Sequence, residues 1–142
     1  MNEAEYLENR LDNQIDWYSK KSAVNKKYFR SCQVILLVLA TLITLSGTFD
    51  GEEFYWVAYT LPFLGASIAI ISGLLGFYKF QENWLEYRTV SESLKHEKFL
   101  FLTKSEPYHE DKAFGLLVNR VETLLSKENT NWSQYMNKEK EK

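Results

Sequence analysis

The chain has 142 residues, of which 45% are hydrophobic, 25% charged and 15% aromatic, and its formal net charge is −2. This length favours a single domain, and the single cysteine, Cys32, has no second cysteine with which to form a disulfide or a metal pair. These averages are typical of a soluble domain, but the apolar residues are concentrated in the middle third of the chain. We expect no cofactor, no bound metal and no nucleic-acid partner.

Residues 1–30 predict an amphipathic helix. Spacings of three and four residues place eight side chains on one face, which is strongly apolar at its start and becomes polar toward residue 30. No proline or glycine interrupts the segment, so we expect one helix from about Glu3 into the apolar segment that follows. The eight residues are Ala4, Leu7, Leu11, Gln14, Tyr18, Lys21, Asn25 and Tyr28.

Two uncharged segments follow, residues 31–49 and 54–78, with nineteen and twenty-five residues. A membrane-spanning helix needs about 20 mostly apolar residues to cross roughly 30 Å of hydrocarbon. Between the segments, residues 50–53 carry three acids and predict a tight, water-exposed turn. A soluble fold would have to surround both helices on all sides, which needs a larger protein than this one. The pattern therefore predicts a two-helix transmembrane hairpin.

Basic residues flank the hairpin on the side of both chain termini. Because the turn has no Lys or Arg and basic flanks stay cytoplasmic, we expect both termini in the cytoplasm. Lys26, Lys27 and Arg30 are expected to face anionic lipid, which makes membrane lipids a predicted partner. The flanking cations are Lys20, Lys21, Lys26, Lys27, Arg30, Lys79 and Arg88.

The second span is also predicted to continue into the cytoplasm as one helix, over residues 79–104, again because no proline or glycine occurs between Phe77 and Glu106. Pro107 then disfavours helix at the residue before it. Within residues 105–136 we predict a last helix from roughly Asp111 to Glu128, and a frayed tail from Asn137. The predicted fold class is an all-α membrane protein, a two-transmembrane helical hairpin whose helices extend into a cytoplasmic helical bundle, with a single domain overall.

Three separated motifs occur in order along residues 5–132. The first is Tyr6-Leu7-x-x-Arg10-Leu11-x-x-Gln14-Ile15-x-Trp17-Tyr18-x-Lys20-Lys21-Ser22-x-x-Asn25-Lys26. The second is Phe80-Gln81-Glu82-Asn83-Trp84-x-x-Tyr87-Arg88-x-x-x-Glu92-x-Leu94-Lys95-x-Glu97. The third is Val121-Glu122 followed by Glu128-Asn129-x-x-Trp132. With these motifs around its hairpin, the chain resembles the SLATT family, the bacterial SMODS and SLOG-associating two-transmembrane effectors.

The resemblance implies a membrane effector of bacterial conflict and antiphage systems. Such proteins are thought to oligomerise in the inner membrane and to form pores that arrest or kill an infected cell. The resemblance also implies a partner that synthesises or senses a nucleotide. We expect that partner to be a separate protein, because the chain carries no nucleotide-sensing domain of its own.

Neither predicted span contains an Asp, Glu, Lys, Arg or His residue, which argues against proton relays and gating charges. One face of the first span is instead partly polar. In an oligomer this face could line a narrow aqueous path, gated by a hydrophobic ring such as Leu37. Alternatively, the threonine hydroxyls bond to the preceding helical turn and hold helices together. The pore-lining candidates are Gln33, Leu37, Thr41, Thr44 and Thr48.

Small residues recur every three or four positions in the second span, at Gly65, Ala69, Gly73 and Gly76. Small side chains let another helix approach closely. The expected partner is either the first helix of the same hairpin or a neighbouring subunit. We also predict that Pro62 kinks the outer part of this span.

We predict no catalytic activity. Cys32, His96 and His109 lie outside any ligand motif, and the glycines cluster in the second span rather than in a phosphate-binding loop.

Polar residues of the cytoplasmic segments predict a network between neighbouring helices. The network either fixes the register of the bundle or forms a sensing face that moves when a partner or nucleotide binds. Its predicted members are Arg10, Gln14, Lys20, Lys21, Glu82, Trp84, Tyr87, Arg88, Glu92 and Glu97. Two functions are open at this point. One is a pore-forming or membrane-perturbing effector that is gated or assembled through its cytoplasmic bundle. The other is a non-conducting membrane scaffold that recruits a cytosolic partner.

Overall fold

The computed structural model describes residues 2–48, 55–109 and 112–140, with side chains described as far as residue 127. Regular structure in these residues is helical, which confirms the predicted all-α fold, and the predicted turn at 50–53 lies outside them. The elements, in chain order, are α1 (Glu3–Tyr6), a π-helical segment (Leu7–Asp12), α2 (Asn13–Ser46), α3 (Tyr55–Tyr78), α4 (Phe80–Leu102) and α5 (Ala113–Lys140).

Two helical stretches are long and apolar enough to cross a membrane, Glu3–Ser46 and Tyr55–Leu102. The prediction of two candidate spans is confirmed to this extent. In each stretch the most apolar window of 18 residues is 0% buried inside the structure. The apolar side chains of both windows are therefore exposed rather than enclosed in a protein core.

The first helical stretch begins with a capping box. The side chain of Asn2 accepts a hydrogen bond from the Glu5 backbone N–H at 2.8 Å, and the Asn2 backbone N–H donates to Glu5 at 3.3 Å. Two backbone donors without helical partners are satisfied in this way. The helix then widens to π-helical geometry over Leu7–Asp12 before α2 begins. The sequence pattern predicted a plain helix here, since spacings of three and four do not distinguish a short π segment.

Lys79 separates α3 from α4, where the sequence predicted one uninterrupted helix. Its φ angle is 48°, in the left-handed region, although it is neither Gly nor Asn. The Lys79 N–H still donates to the Leu75 carbonyl at 3.2 Å. The side-chain amide of Asn83 donates to the Tyr78 carbonyl at 3.1 Å, which satisfies an acceptor at the end of α3. The interruption is thus built from local hydrogen bonds rather than from a helix-breaking residue.

A second left-handed residue, Lys104 with φ 50°, ends α4. The N–H of Ser105 donates to the Leu100 carbonyl at 3.0 Å, and the N–H of Lys104 donates to the Phe101 carbonyl at 3.1 Å. These are the two bonds of a Schellman motif, with lysine where glycine is usual. The helix therefore ends before Pro107, the residue from which the break was predicted.

Helix α5 differs from its prediction at both ends. It begins at Ala113 and continues to Lys140, whereas the sequence predicted a helix from roughly Asp111 to Glu128 and a frayed tail from Asn137. The lysines and glutamates of the tail are good helix formers, so their charge is compatible with continued helix.

Contacts within the chain define two compact units, where the sequence predicted a single domain. Unit 1 consists of Met1–Ser22 and Leu85–Lys142, and unit 2 of Ala23–Trp84. Unit 1 has a hydrophobic core in which Leu11, Leu94 and Leu117 are fully buried. Burying one such side chain stabilises a fold by about 1.5–3 kcal/mol. The core residues are Tyr6, Leu11, Ile15, Tyr18, Leu94, Phe101, Tyr108, Leu117, Val121 and Leu125.

In unit 2, α2 and α3 each have one partly covered face. On α3 the covered residues are large aliphatics at helical spacing together with Ser67, and Val57 is buried. Between residues 31 and 78 the covered residues are Cys32, Leu36, Leu39, Ile43 and Ser46 on α2, with Val57, Leu61, Leu64, Ser67, Ile68, Ile71 and Leu75 on α3. Helix α3 continues through Pro62, and the kink there stays a prediction.

Candidate functional site

The predicted pore-lining residues lie on the exposed side of α2. They are roughly 140° around the helix from its covered face, at about 100° per residue. Leu37 is the most exposed large hydrophobic side chain of α2, at 69%. The structure thus leaves this face open to whatever surrounds the hairpin. The residues of this polar face are Gln33, Leu37, Thr41, Thr44 and Thr48.

Each threonine hydroxyl of the polar face is bonded to its own helix. Thr41 donates to the Leu37 carbonyl at 2.8 Å, and Thr44 donates to the Ala40 carbonyl at 2.9 Å. Thr48 donates to a carbonyl in the same way, at 2.7 Å. The donor of each hydroxyl is therefore used, while its oxygen can still accept hydrogen bonds. This geometry supports the alternative in which the hydroxyls bond back to the helix, and it leaves acceptors along the face.

The small residues of α3 are also exposed. A Cβ atom built at Gly65, Gly73 or Gly76 meets no atom within 4 Å among the described residues. In the described residues α2 therefore makes no close contact at these three glycines, and the covered aliphatic side chains of α3 lie on a different side of the helix. The partner of the small residues stays a prediction. We call the exposed surface formed by Gly65, Ala69, Gly73 and Gly76 the small-residue face.

The strongest polar contacts are in unit 1 and involve α5. Arg10, on the π-helical segment, makes two hydrogen bonds to the Glu122 carboxylate, at 3.1 and 3.0 Å. Tyr6 donates to the same carboxylate at 3.2 Å. The Arg10 guanidinium holds the pKa of Glu122 below its ordinary value. Burial, together with the neighbouring carboxylate, raises the pKa of Tyr6 to about 12.

A second group of the same composition joins α4 to α5. Arg120 bonds both oxygens of Glu97, at 2.9 and 2.7 Å, and the Tyr108 hydroxyl donates to the same carboxylate. Burial alone would raise the pKa of Glu97, but the bonds from Arg120 and Tyr108 outweigh it, and the pKa lies below its ordinary value. Burial and the carboxylate also raise the pKa of Tyr108. Glu97 is therefore a buried carboxylate held charged by its partners.

Other members of the predicted network have different neighbours. Glu92 pairs with Lys95 at 3.1 Å on its own helix, and Glu82 lies 4.0 Å from Lys79. Lys21 lies over the ring of Trp17. Each of these contacts joins residues three or four positions apart, and a single network of all ten residues stays a prediction.

Four more predicted members are Gln14, Lys20, Tyr87 and Arg88. Gln14 is half-buried, and Lys20 and Arg88 are exposed. Tyr87 contacts the ring of Trp17, with 5.9 Å between the ring centroids.

Sequence reasoning missed the partners that α5 and the loop before it supply. It also missed the bond between Lys98 and Asp12, at 2.6 Å. The Val121-Glu122 motif was the one available signal for Glu122. The missed residues are Tyr6, Asp12, Lys98, Tyr108, Arg120 and Glu122.

Aromatic and basic side chains meet at one end of unit 2. The Lys26 ammonium lies 5.4 Å from the centroid of the Trp84 ring. Phe80 stacks between Tyr28 and Tyr78, with centroid distances of 5.7 and 5.4 Å. Among the residues that the structure describes, three or more His, Cys, Asp or Glu side chains do not come together in a way that could hold a metal ion.

Comparison with known proteins gives one match. A family model described as "Protein of unknown function (DUF4231)" matches residues 13–114, more than two thirds of the chain. The matched region contains α2, α3 and α4. No curated protein and no solved structure matches the chain. The chain belongs to the DUF4231 family.

Proposed function

We propose that this protein is an oligomeric inner-membrane effector of the SLATT type, which forms a pore or perturbs the membrane in bacterial antiphage defence. In the proposal both termini are cytoplasmic, and unit 1 is the part through which a signal gates or assembles the oligomer. The signal would come from a separate protein that synthesises or senses a nucleotide. The proposal assigns no catalytic activity to the chain. The motifs along residues 5–132 that resemble SLATT proteins support it.

Insertion into a membrane is supported by the exposure of apolar side chains along α2 and α3. Soluble proteins rarely expose contiguous apolar patches of this extent. In a bilayer the same side chains would face hydrocarbon. The basic residues that flank the two spans, and the lack of Lys and Arg in the sequence 50–53, support the proposed orientation.

Oligomerisation is supported by the small-residue face, the single observation that carries the proposal. Lipid offers no hydrophobic driving force between helices, so helices associate through close packing at small residues. On α3 these residues lie on a different side of the helix from its covered face, and the space at three of them is open. A second copy of the chain could approach this face closely.

The polar face of α2 is the proposed lining of the pore. Its threonine oxygens keep acceptor capacity, and it contains no charged residue between Gln33 and Thr48. The second candidate function, a non-conducting scaffold, is favoured by one observation. The hydroxyls already donate to their own helix, so they are satisfied without water.

Ion flux from liposomes that contain the purified full chain tests the proposal. The test variant is Thr41→Val/Thr44→Val/Thr48→Val, which removes three hydroxyls at nearly constant volume. The matched control is Thr60→Val on α3, whose hydroxyl also bonds its own helix, at 3.0 Å. We expect flux in the wild type and the control, and at least a tenfold lower rate in the triple variant. Equal flux in all three would move the lining away from α2, and no flux from assembled oligomers would favour the scaffold.

A further inference from the structure

Three cations form a cluster on α2, just before the apolar part of the helix. Lys26, Lys27 and Arg30 are separated by one, three and four residues, so Arg30 lies beside both lysines on the helix surface. Lys27 and Arg30 are exposed, and Lys26 is half-buried. The sequence has no Asp or Glu from 23 to 49. In the described part of the chain, the ion pairs found involve none of the three cations.

Aromatic side chains surround this cluster of cations at one end of unit 2. The cation–π contact with Trp84 restrains Lys26. The stack of Tyr28, Phe80 and Tyr78 lies at the same end of unit 2. Tyrosine and tryptophan concentrate at the membrane–water boundary because one part of each side chain is apolar and the other polar. The cluster therefore sits among side chains suited to the headgroup level.

One helical turn further along, the same side of α2 becomes apolar and exposed. Val34 is 60% exposed, Leu37 69% and Val38 52%. Four residues separate Arg30 from Val34, about 6 Å along the helix. A ligand that contacts both the cations and the apolar side chains therefore needs a negative charge about 6 Å from the start of an apolar chain.

We infer that Lys26, Lys27 and Arg30 form a binding site for the phosphate of an anionic phospholipid, whose acyl chains cover Val34 and Val38, beside the polar face that contains Leu37. Lysine and arginine both bind phosphate through charge-assisted hydrogen bonds. A free phosphate ion would use the cations but not the apolar surface. A zwitterionic lipid would bring its own cation toward three positive charges. This inference rests on the membrane insertion in the proposed function but not on a pore, and lipid binding in detergent can be lost while ion flux from liposomes persists.

Native mass spectrometry of the full chain in detergent tests the site. The probes are phosphatidylglycerol, phosphatidylcholine with the same acyl chains, and glycerol 3-phosphate as the headgroup without chains. The test variant is Lys26→Gln/Lys27→Gln/Arg30→Gln. The control is Arg88→Gln/Lys112→Gln/Lys127→Gln. It also removes two lysines and one arginine, but all three are in unit 1.

We expect phosphatidylglycerol to bind the wild type and the control with the same affinity. The test variant should bind it roughly 100-fold more weakly, the loss expected from three membrane-surface charges. Phosphatidylcholine should bind the wild type at least tenfold more weakly than phosphatidylglycerol. Three results would overturn the inference. They are unchanged affinity in the test variant, equal affinity for the two lipids, and glycerol 3-phosphate binding as tightly as the lipid. Far-ultraviolet circular dichroism checks that both variants keep their helices.

Discussion

At the scale of single residues, two lysines adopt a backbone conformation that lysine rarely takes. Lys79 and Lys104 have φ angles of 48° and 50°. The left-handed conformation costs an L-amino acid about 1–2 kcal/mol relative to right-handed helix. At Lys104 the two Schellman bonds offset this cost, and at Lys79 the Asn83 amide contributes. Both positions would suit glycine better than lysine.

Replacing Lys104 with glycine should stabilise unit 1. Glycine reaches the left-handed region without steric cost, and the gain is reduced by its greater freedom in the unfolded chain. We expect the free energy of unfolding to rise by about 0.5–1 kcal/mol, measured by denaturant titration in detergent. The matched control is Arg88→Gly, in the middle of α4, which should lower it by about 1 kcal/mol. A loss of stability in Lys104→Gly would contradict the left-handed conformation at that position.

These two interruptions could not be predicted from the sequence, whereas the faces of the helices could. Leu11, Leu94 and Leu117 follow the three- and four-residue spacing and are fully buried. Lysine, in contrast, has no pattern that marks a left-handed position. Whether the helix continues or ends at such a lysine depends on hydrogen bonds to residues three to five positions away.

At the scale of elements, α5 is joined to the other helices of unit 1 by two Arg–Glu pairs that differ in exposure. In the pair of Arg10 and Glu122 both side chains are 42% exposed. In the second pair the side chain of Arg120 is 47% exposed, but that of Glu97 only 8%. Water can replace the partner of Glu122 but has little access to Glu97. The two pairs should therefore contribute unequally to stability.

The same substitution at the two arginines tests this difference. Arg120→Ala leaves a buried carboxylate without its cation and should lower the free energy of unfolding by about 2–3 kcal/mol. Arg10→Ala breaks a solvent-screened pair and should lower it by less than about 1 kcal/mol. Thermal and denaturant unfolding of the full chain measure both. Equal losses would show that the difference in burial does not set the energies.

The pH dependence of stability follows from the same groups. Glu97 and Glu122 have lowered pKa values when folded, so the unfolded chain binds more protons in acid. Their contribution is fully present above the ordinary pKa of 4.5 and is lost as pH falls through the lowered values. Tyr6 acts on the alkaline side, where its contribution is lost between pH 10 and about 12.

Glu97→Gln measures the acidic part of this dependence. The variant should lose stability less steeply than the wild type below pH 4.5, the ordinary value for the group it lacks. Glu92→Gln, at an exposed position beside Lys95, is the matched control and should follow the wild-type slope. Parallel curves for the wild type and Glu97→Gln would contradict the lowered pKa.

The partners in these pairs could not be read from the sequence. The prediction grouped Glu97 with residues of the N-terminal helix, because the cytoplasmic helices were expected to be neighbours. Its partner is Arg120, across the loop that contains Tyr108. Local spacing determines which face of α4 holds Glu97, but not which helix covers that face.

At the scale of the whole molecule, the chain combines two different units. Unit 1 has a hydrophobic core, whereas the apolar side chains of α2 and α3 in unit 2 are exposed. Uncharged length was sufficient to predict the two candidate spans, because the cost of a charge in hydrocarbon is large. The orientation of the small-residue face was not predictable in the same way. Its glycines were compatible with either partner, and the open space beside three of them is seen only in the folded chain. With that face outward, the proposal requires contact between copies.

Cysteine cross-linking in membranes tests this requirement most directly. In a Cys32→Ser background, Ala69→Cys introduces a thiol on the small-residue face, and Leu74→Cys introduces one roughly 140° around α3. Both positions are exposed in the single chain. Under a mild oxidant we expect Ala69→Cys to form cross-linked dimers rapidly and Leu74→Cys to remain mostly monomeric. Equal cross-linking at both positions, or none at Ala69→Cys in fully inserted protein, would contradict assembly through the small-residue face.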